Sequence, residues 1–284
     1  MLQFKNNYHY LVAGLPDLLL DEGRQKSPVA SFREDFEHNL HPEDFDLVKY
    51  LFYKYDNTNL LNLLLKKYKA FLDQGNYSKG FLEEQIKEPD DRLLPYLKDF
   101  ILQFKAGERE SSGASWETIL DSNFFNFLLN TKNDFLRNWF QFKLNFQNVT
   151  TALACRDHKI SPENYLIGTN TVTENILRSN ANDFGLQQEF PEIEKILQAW
   201  QHDTIIEREQ ALDQFKWAWI EDQIFFHYFT IERLLGFLLQ LEMVERWMKL
   251  DEETGQKMFD QLLGNMNKEY ELPAEFNLQY VKRK

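Results

Sequence analysis

The chain has 284 residues, 43% hydrophobic and 15% aromatic, with 25 Phe and 12 Tyr; this is too apolar for a disordered chain and enough for a sizeable core. The net charge of −13, from 45 acidic against 32 basic residues, argues against a partner read through a phosphate backbone, so nucleic acid is not expected. The single cysteine, Cys155, excludes an intramolecular disulfide and a multi-thiolate zinc site and points to a reducing compartment.

In chain order, the apolar segment 8–16, YHYLVAGLP, reads as a short buried strand or an irregular turn. Tyr8, His9, Pro16 and Asp17 interrupt any signal-like apolar core, and no window reaches the roughly 18 to 20 uncharged apolar residues that span a bilayer. A cytoplasmic protein is expected, free to dock peripherally on a membrane complex. Gly23, Ser27 and Pro28 mark a loop, after which SFRE matches a capping box with Ser31 as N-cap and Glu34 reaching back, predicting a helix from about residue 32. Pro42 at a first helical position, with Glu43 and Asp44 beside the positive helix end, predicts a second helix to about Asp56. The leucines at 60, 61, 64 and 65, with Tyr68, continue or restart it at helical spacing.

Pro89 and Pro95 bracket a short DDRLL element, and residues 105–115 read as a hinge or exposed loop. Two helical runs follow, WETILDSNFFNFLLN and residues 132–158. Ser161 and Pro162 offer an N-cap and first residue for another helix; residues 170–188 are polar and broken by Gly185, and FPEIEKILQAWQ is a further short helix. From 204 to 250 there is no proline, and Ile231, Leu234, Leu238 and Leu241 recur at spacings of three, four and three, predicting one or two long helices. About 36 residues of continuous helix would reach roughly 54 Å, the strut of a scaffold rather than of a short enzyme. The chain ends on a basic group, Lys282, Arg283 and Lys284, suited either to a membrane-facing side or to a solvated tail. The expected divisions are 1–105, 106–190 and 191–284, or one compact domain.

Candidate chemistry fails on spacing. The eleven glycines form neither a P-loop nor a dinucleotide fingerprint, and no nucleophile elbow occurs. Ferritin-like di-metal sites need Glu followed three residues later by His on two helices, and no Glu here has that neighbour. Glu242 and Glu245 share a helix face and read as solvated acidic surface, or less readily as metal ligands. The six histidines form no close cluster; His41 reads as a turn residue, and His227, among Phe225, Phe226, Tyr228 and Phe229, as a core or interface residue. Cys155 and His158 fall on one face, without an evident acidic orienter. No cofactor is expected.

The stretch FLRNWFQFKLNFQNVTTALACRDHKI carries more. On a helix, Phe142, Phe146, Val149 and Leu153 form a core stripe flanked by Asn145 and by an Asn148, Ala152, Arg156 ladder. Asn148 and Arg156 are therefore candidates to hydrogen-bond a neighbouring loop or helix end where two modules meet; an ordinary half-exposed helix edge is the plainer reading. A shift of 89 residues lays YDNTNLLNLLLKKYK over LNFQNVTTALACRDHK, matching Asn59 with Asn148, Leu64 with Leu153 and Lys67 with Arg156.

This stretch resembles the recurring signature of the C-subunit family of V-type and archaeal A-type ATP synthases, whose eukaryotic member is the d-subunit. In that signature an acidic residue, an Asn and a terminal Arg mark helices of related modules. The matching residues are Asn145, in place of the acidic residue, Asn148 and Arg156; the earlier copy has Asp56 and Asn59, with Lys67 where Arg is expected. FTIERLLGFLLQLEMVERWMKL looks like the closing module, with Glu242 and Glu245 as its acidic positions. The N-terminal NNYHYLVAGLPDLLLDE is similar to the DUF2764 family of Bacteroidetes-type proteins, thought to fill the C-subunit place in bacterial V-type ATPase gene sets. The resemblance implies an all-α fold of long helices, three pseudo-repeated modules in a funnel. It further implies a non-catalytic central-stalk subunit joining the central shaft to the membrane rotor ring on the cytoplasmic face of the inner membrane. A generic helical adaptor is the alternative, and a carboxylate-bridged metal enzyme a more distant one.

Overall fold

Proline and polar caps set most of the helix starts. In a computed structural model, which describes residues 6–18, 29–107 and 113–269 (side chains as far as 250), the described residues form helices and connections and no strand. The helices are α1 (His9–Ala13), α2 (Val29–Asn39), α3 (Pro42–Leu64), α4 (Lys79–Lys87), α5 (Pro95–Ala106), α6 (Trp116–Leu129), α7 (Asp134–Asp157), α8 (Thr171–Arg178), α9 (Ile193–Trp200), α10 (Ile205–Ile224) and α11 (Ile231–Glu269). Pro42 and Pro95 open α3 and α5, where a missing N–H costs nothing. Ser78, Ser115, Asn133 and Thr204 each accept from a first-turn amide, and Asn170 forms a reciprocal capping box with Thr173.

The two central helices are α3 and α7. The first packs on α2, α4, α6 and α11, the second on α6, α8, α9 and α10. The last described helix, α11, lies against both α2 and α3. One apolar cluster runs from Leu11 to Met243 through all these contacts, with Phe36, Phe52, Phe100 and Leu136 fully buried.

Several boundaries differ from the sequence expectation. The apolar segment 8–16 forms the short helix α1, because half-buried Tyr8 and buried Leu11 face inward at helical spacing and the Tyr8 N–H is taken by the Phe229 carbonyl at 2.6 Å. Ser31 lies inside α2 and is not its cap. Residues 42–64 are one helix, so the leucine run continues the one opened at Pro42 rather than restarting it, while the stretch between Pro89 and Pro95 is a turn and no separate element. Ser161 and Pro162 begin only a turn: the Tyr165 and Leu166 amides bond the Pro162 carbonyl, and then Asn148 takes both backbone groups of Ile167, so no helix propagates. The run from 204 to 250, expected as one or two long helices, divides at 225–230, where buried Glu232 accepts from the Thr230 hydroxyl and from Asn133 Nδ2. Two helices result, the second crossing α10 at Gly236, where a Cβ would come within 2.8 Å of Ile224 Cδ1. The expected hinge at 105–115 lies partly outside the described residues, and the basic end Lys282, Arg283 and Lys284 wholly so.

Candidate functional site: paired polar clamps and a charged cleft

Asn59 and Asn148 make the same pair of hydrogen bonds. Asn59 Nδ2 donates to the Leu72 carbonyl at 2.8 Å while its Oδ1 accepts the Leu72 N–H at 2.9 Å. Asn148 Nδ2 donates to the Ile167 carbonyl at 2.9 Å and its Oδ1 accepts the Ile167 N–H at 2.7 Å. A primary amide presents a donor and an acceptor side by side, so it can satisfy both the N–H and the C=O of one residue as a neighbouring strand would; neither Asp nor Leu can. Each asparagine thereby fixes the loop that follows its own helix.

One turn earlier on each helix sits the second polar residue. Asp56 accepts the Asn76 and Tyr77 amides, both at 2.9 Å, and Asn76 Nδ2 at 3.0 Å. Burial pushes its carboxyl above the usual carboxylate range, opposed by those three donors and by the Arg33 guanidinium. Arg33, from α2, lies 4.3 Å over the Phe52 ring and donates to Asn76 Oδ1 at 2.8 Å, tying α2 to the same loop. Gly75 completes the turn: a Cβ there would stand 2.4 Å from Asp56 Oδ1. At the equivalent place on α7, Asn145 Oδ1 accepts from Asn170 Nδ2 at 3.1 Å and from Gln141 Nε2 at 3.1 Å. Both positions meet donors, but Asp56 meets two backbone amides and a side-chain amide with the Arg33 guanidinium near by, whereas Asn145 meets two neutral side-chain amides only.

The two helices also end alike. Lys66 and Lys159 occupy left-handed backbone at φ 52° and 57°, and the next residue's N–H reaches back to the Asn62 and Cys155 carbonyls, at 2.9 and 2.8 Å. Seven positions separate Asn59 from Lys66 and eleven separate Asn148 from Lys159, so α7 carries one additional turn after its clamp. The matching of Lys67 with Arg156 does not survive this. Lys67 lies beyond the end of α3, exposed and, among the described residues, without a side-chain hydrogen bond or ion pair, whereas Arg156 is still within α7. Arg156 donates to the Ala181 and Asn182 carbonyls at 3.0 and 3.1 Å and lies 3.9 Å over the Phe184 ring.

On α11 the corresponding spacing carries two carboxylates. Glu242 accepts from Lys54 Nζ at 2.6 Å, and Glu245 Oε1 accepts the Val29 N–H that opens α2. These side chains are engaged between helices, at 15% and 25% exposure, rather than forming solvated acidic surface. Among the described residues no three His, Cys, Asp or Glu side chains are grouped to hold a metal ion. Cys155 is buried, which raises its thiol pKa.

Between α3, α7, α9, α10 and α11 lies a cleft of about 600 Å³, walled by Trp139, Phe142, Phe146 and Trp200. Lys54, Lys143, Lys216 and Arg246 line it together with Glu209, Asp213 and Glu242. Asp213, 1% exposed, accepts from Arg246, from Lys216 at 3.1 Å and from Trp247 Nε1 at 2.8 Å. None of Lys143, Lys216, Asp213 and Arg246 stood out from the sequence. Their one visible signal is charge placed within apolar helical stripes, as in Phe142-Lys143-Leu144.

No helix among the described residues is long and apolar enough to cross a membrane. The fold and clamps thus define an all-helical protein in which side-chain amides of two central helices pin the loops that follow them. The chain belongs to the family described as "Protein of unknown function (DUF2764)", whose model matches residues 5–270. Neither the curated proteins nor the solved structures contain a match to it.

Proposed function

We propose that this chain is a non-catalytic central-stalk subunit of a V-type ATPase or ATP synthase, seated on the cytoplasmic face of the inner membrane, where it joins the central shaft to the membrane rotor ring. The observation that carries the reading is the duplicated clamp, Asn59 on Leu72 and Asn148 on Ile167, at the positions where the sequence resembles the repeated signature of the C-subunit family. Asp56, Asn145, Arg156, Glu242 and Glu245 extend the parallel: every one of them joins a long helix to a loop or to another helix. In a rotor component the clamps stiffen the first two modules internally, and Glu242 and Glu245 tie the last module to the first while torque passes through them; the funnel arrangement of those modules is part of the proposal. ATP chemistry then belongs to other subunits.

Affinity purification of the chain at native expression, under conditions that keep the motor intact, tests this. Recovery of shaft and ring subunits is expected. Consistent recovery of an unrelated enzyme or receptor with no motor subunit would favour a second reading, a helical adaptor. That reading draws on the aromatic surface at the α10–α11 junction, where Phe225, Phe226 and Tyr228 are 64%, 79% and 63% exposed.

A further inference from the structure

We propose that the cleft between α3, α7, α9, α10 and α11 binds a small organic anion with an apolar body, and that the Lys143 ammonium is its charge partner. Among the described residues, the cations around the cleft are paired with one exception. Lys54 meets Glu242 at 2.6 Å, Lys216 meets Asp213 at 3.1 Å, and Arg246 meets Asp213 and, at 3.3 Å, Glu209. Lys143 has no hydrogen bond or ion pair with any described residue. Four cations and three carboxylates line the space, so one positive charge is left over.

That charge is held at a cost. Lys143 is half-buried, and removal from water, together with repulsion from Lys54 and Lys216, pushes its pKa down to about 8 against a weaker pull from Glu242, whose carboxylate is bonded to Lys54. The other carboxylate near it, Asp121, lies in an adjoining recess of about 340 Å³ and forms no ion pair with it. Burial and the neighbouring Glu117 raise Asp121 to about 6, so it is still largely ionised at neutral pH and attracts Lys143 from a distance, but it makes no direct contact that would neutralise the ammonium within the cleft. An incoming carboxylate, sulfonate or phosphate would supply what the site lacks, in a space of the size that encloses a small molecule. The walls set the rest of the ligand: Trp139, Phe142 and Phe146 offer flat apolar surface, with the Phe142 ring stacked 4.5 Å from Trp219 behind it.

The anionic dye 8-anilinonaphthalene-1-sulfonate, and N-phenyl-1-naphthylamine, which has the same aromatic body without the sulfonate, separate charge from apolar contact. Titration of the full chain, with excitation of tryptophan and detection of dye emission, is expected to show one saturable site per chain for the sulfonate. Lys143→Met should weaken the sulfonate by about tenfold or more and leave the neutral dye within about twofold, as expected for loss of a charged contact. Lys143→Arg should retain most of the affinity. Circular dichroism checks that the variants fold, and Lys143→Gln serves should the Met variant unfold. Absence of a saturable sulfonate site in the wild type, wild-type sulfonate affinity in the Met or Gln variant, or equal loss of both dyes would overturn the proposal.

Discussion

Truncating Asn148 to alanine orphans the N–H and C=O of Ile167, which the Asn148 amide holds at 2.7 and 2.9 Å. Asn148 is 0% and Ile167 4% exposed, so water cannot take over these bonds. Each buried group left without a partner costs about 1–3 kcal/mol, which puts Asn148→Ala at about 2–6 kcal/mol once both are counted. The equivalent change at Asn59 orphans the same two groups of Leu72, but Leu72 is half-buried and water can reach it, so about 1–2 kcal/mol is expected. Asn148→Asp should be no better than alanine, because the carboxylate keeps the bond from the Ile167 N–H but sets a second oxygen against its carbonyl. Urea unfolding followed by far-UV circular dichroism and tryptophan fluorescence measures the differences. For a chain of this size 1 kcal/mol is about 2–4 °C in Tm, so Asn148→Ala should lose roughly 10 °C and Asn59→Ala less than half of that. A loss under about 1 kcal/mol at Asn148, or a greater loss at Asn59 than at Asn148, would refute the clamp as a stabilising device.

Three further outcomes are expected. Gly75→Ala drives a methyl to 2.4 Å from Asp56 Oδ1 and must push the loop off its acceptor, costing about 2–3 kcal/mol; a neutral result in thermal denaturation would contradict the geometry. Gly236→Ala brings a methyl to 2.8 and 2.9 Å from two atoms of Ile224, so it should destabilise by about 1–3 kcal/mol, and combined with Ile224→Ala the two losses should be less than additive. Asp121, raised to about 6 by burial, binds its proton more tightly in the folded than in the unfolded chain, so its contribution to stability improves as pH falls from above 6 towards about 4. Asp121→Asn should therefore stabilise at pH 8 by about 1–2 kcal/mol and give no gain at pH 4, as chemical denaturation at the two pH values will show.

The long helices were legible because their signals are local: Pro42 with two acidic residues behind it, and apolar stripes such as Phe142, Phe146, Val149 and Leu153. Asn148 was legible as a residue that reaches a neighbouring loop, since a lone amide inside an apolar stripe demands a partner. Its partner was not, because Ile167 is 19 positions away and is selected by the path of the chain. The same bond explains the missed boundary at Ser161 and Pro162, whose cap pattern is sound locally but is outcompeted by a tertiary acceptor and donor. The match of Lys67 with Arg156 failed because the additional turn of α7 leaves no gap in the local pattern. Lys143 could not be found in advance, since an unpaired cation is defined by which carboxylates the fold brings near it.

The proposed role in rotary coupling is tested most directly by ATP-driven ion uptake into inverted membrane vesicles from cells depleted of this chain. A central-stalk subunit predicts that uptake is lost on depletion and returns when the purified protein is added back with the motor's other soluble subunits. Uptake at the normal rate in vesicles shown by immunoblot to lack the chain would contradict the account.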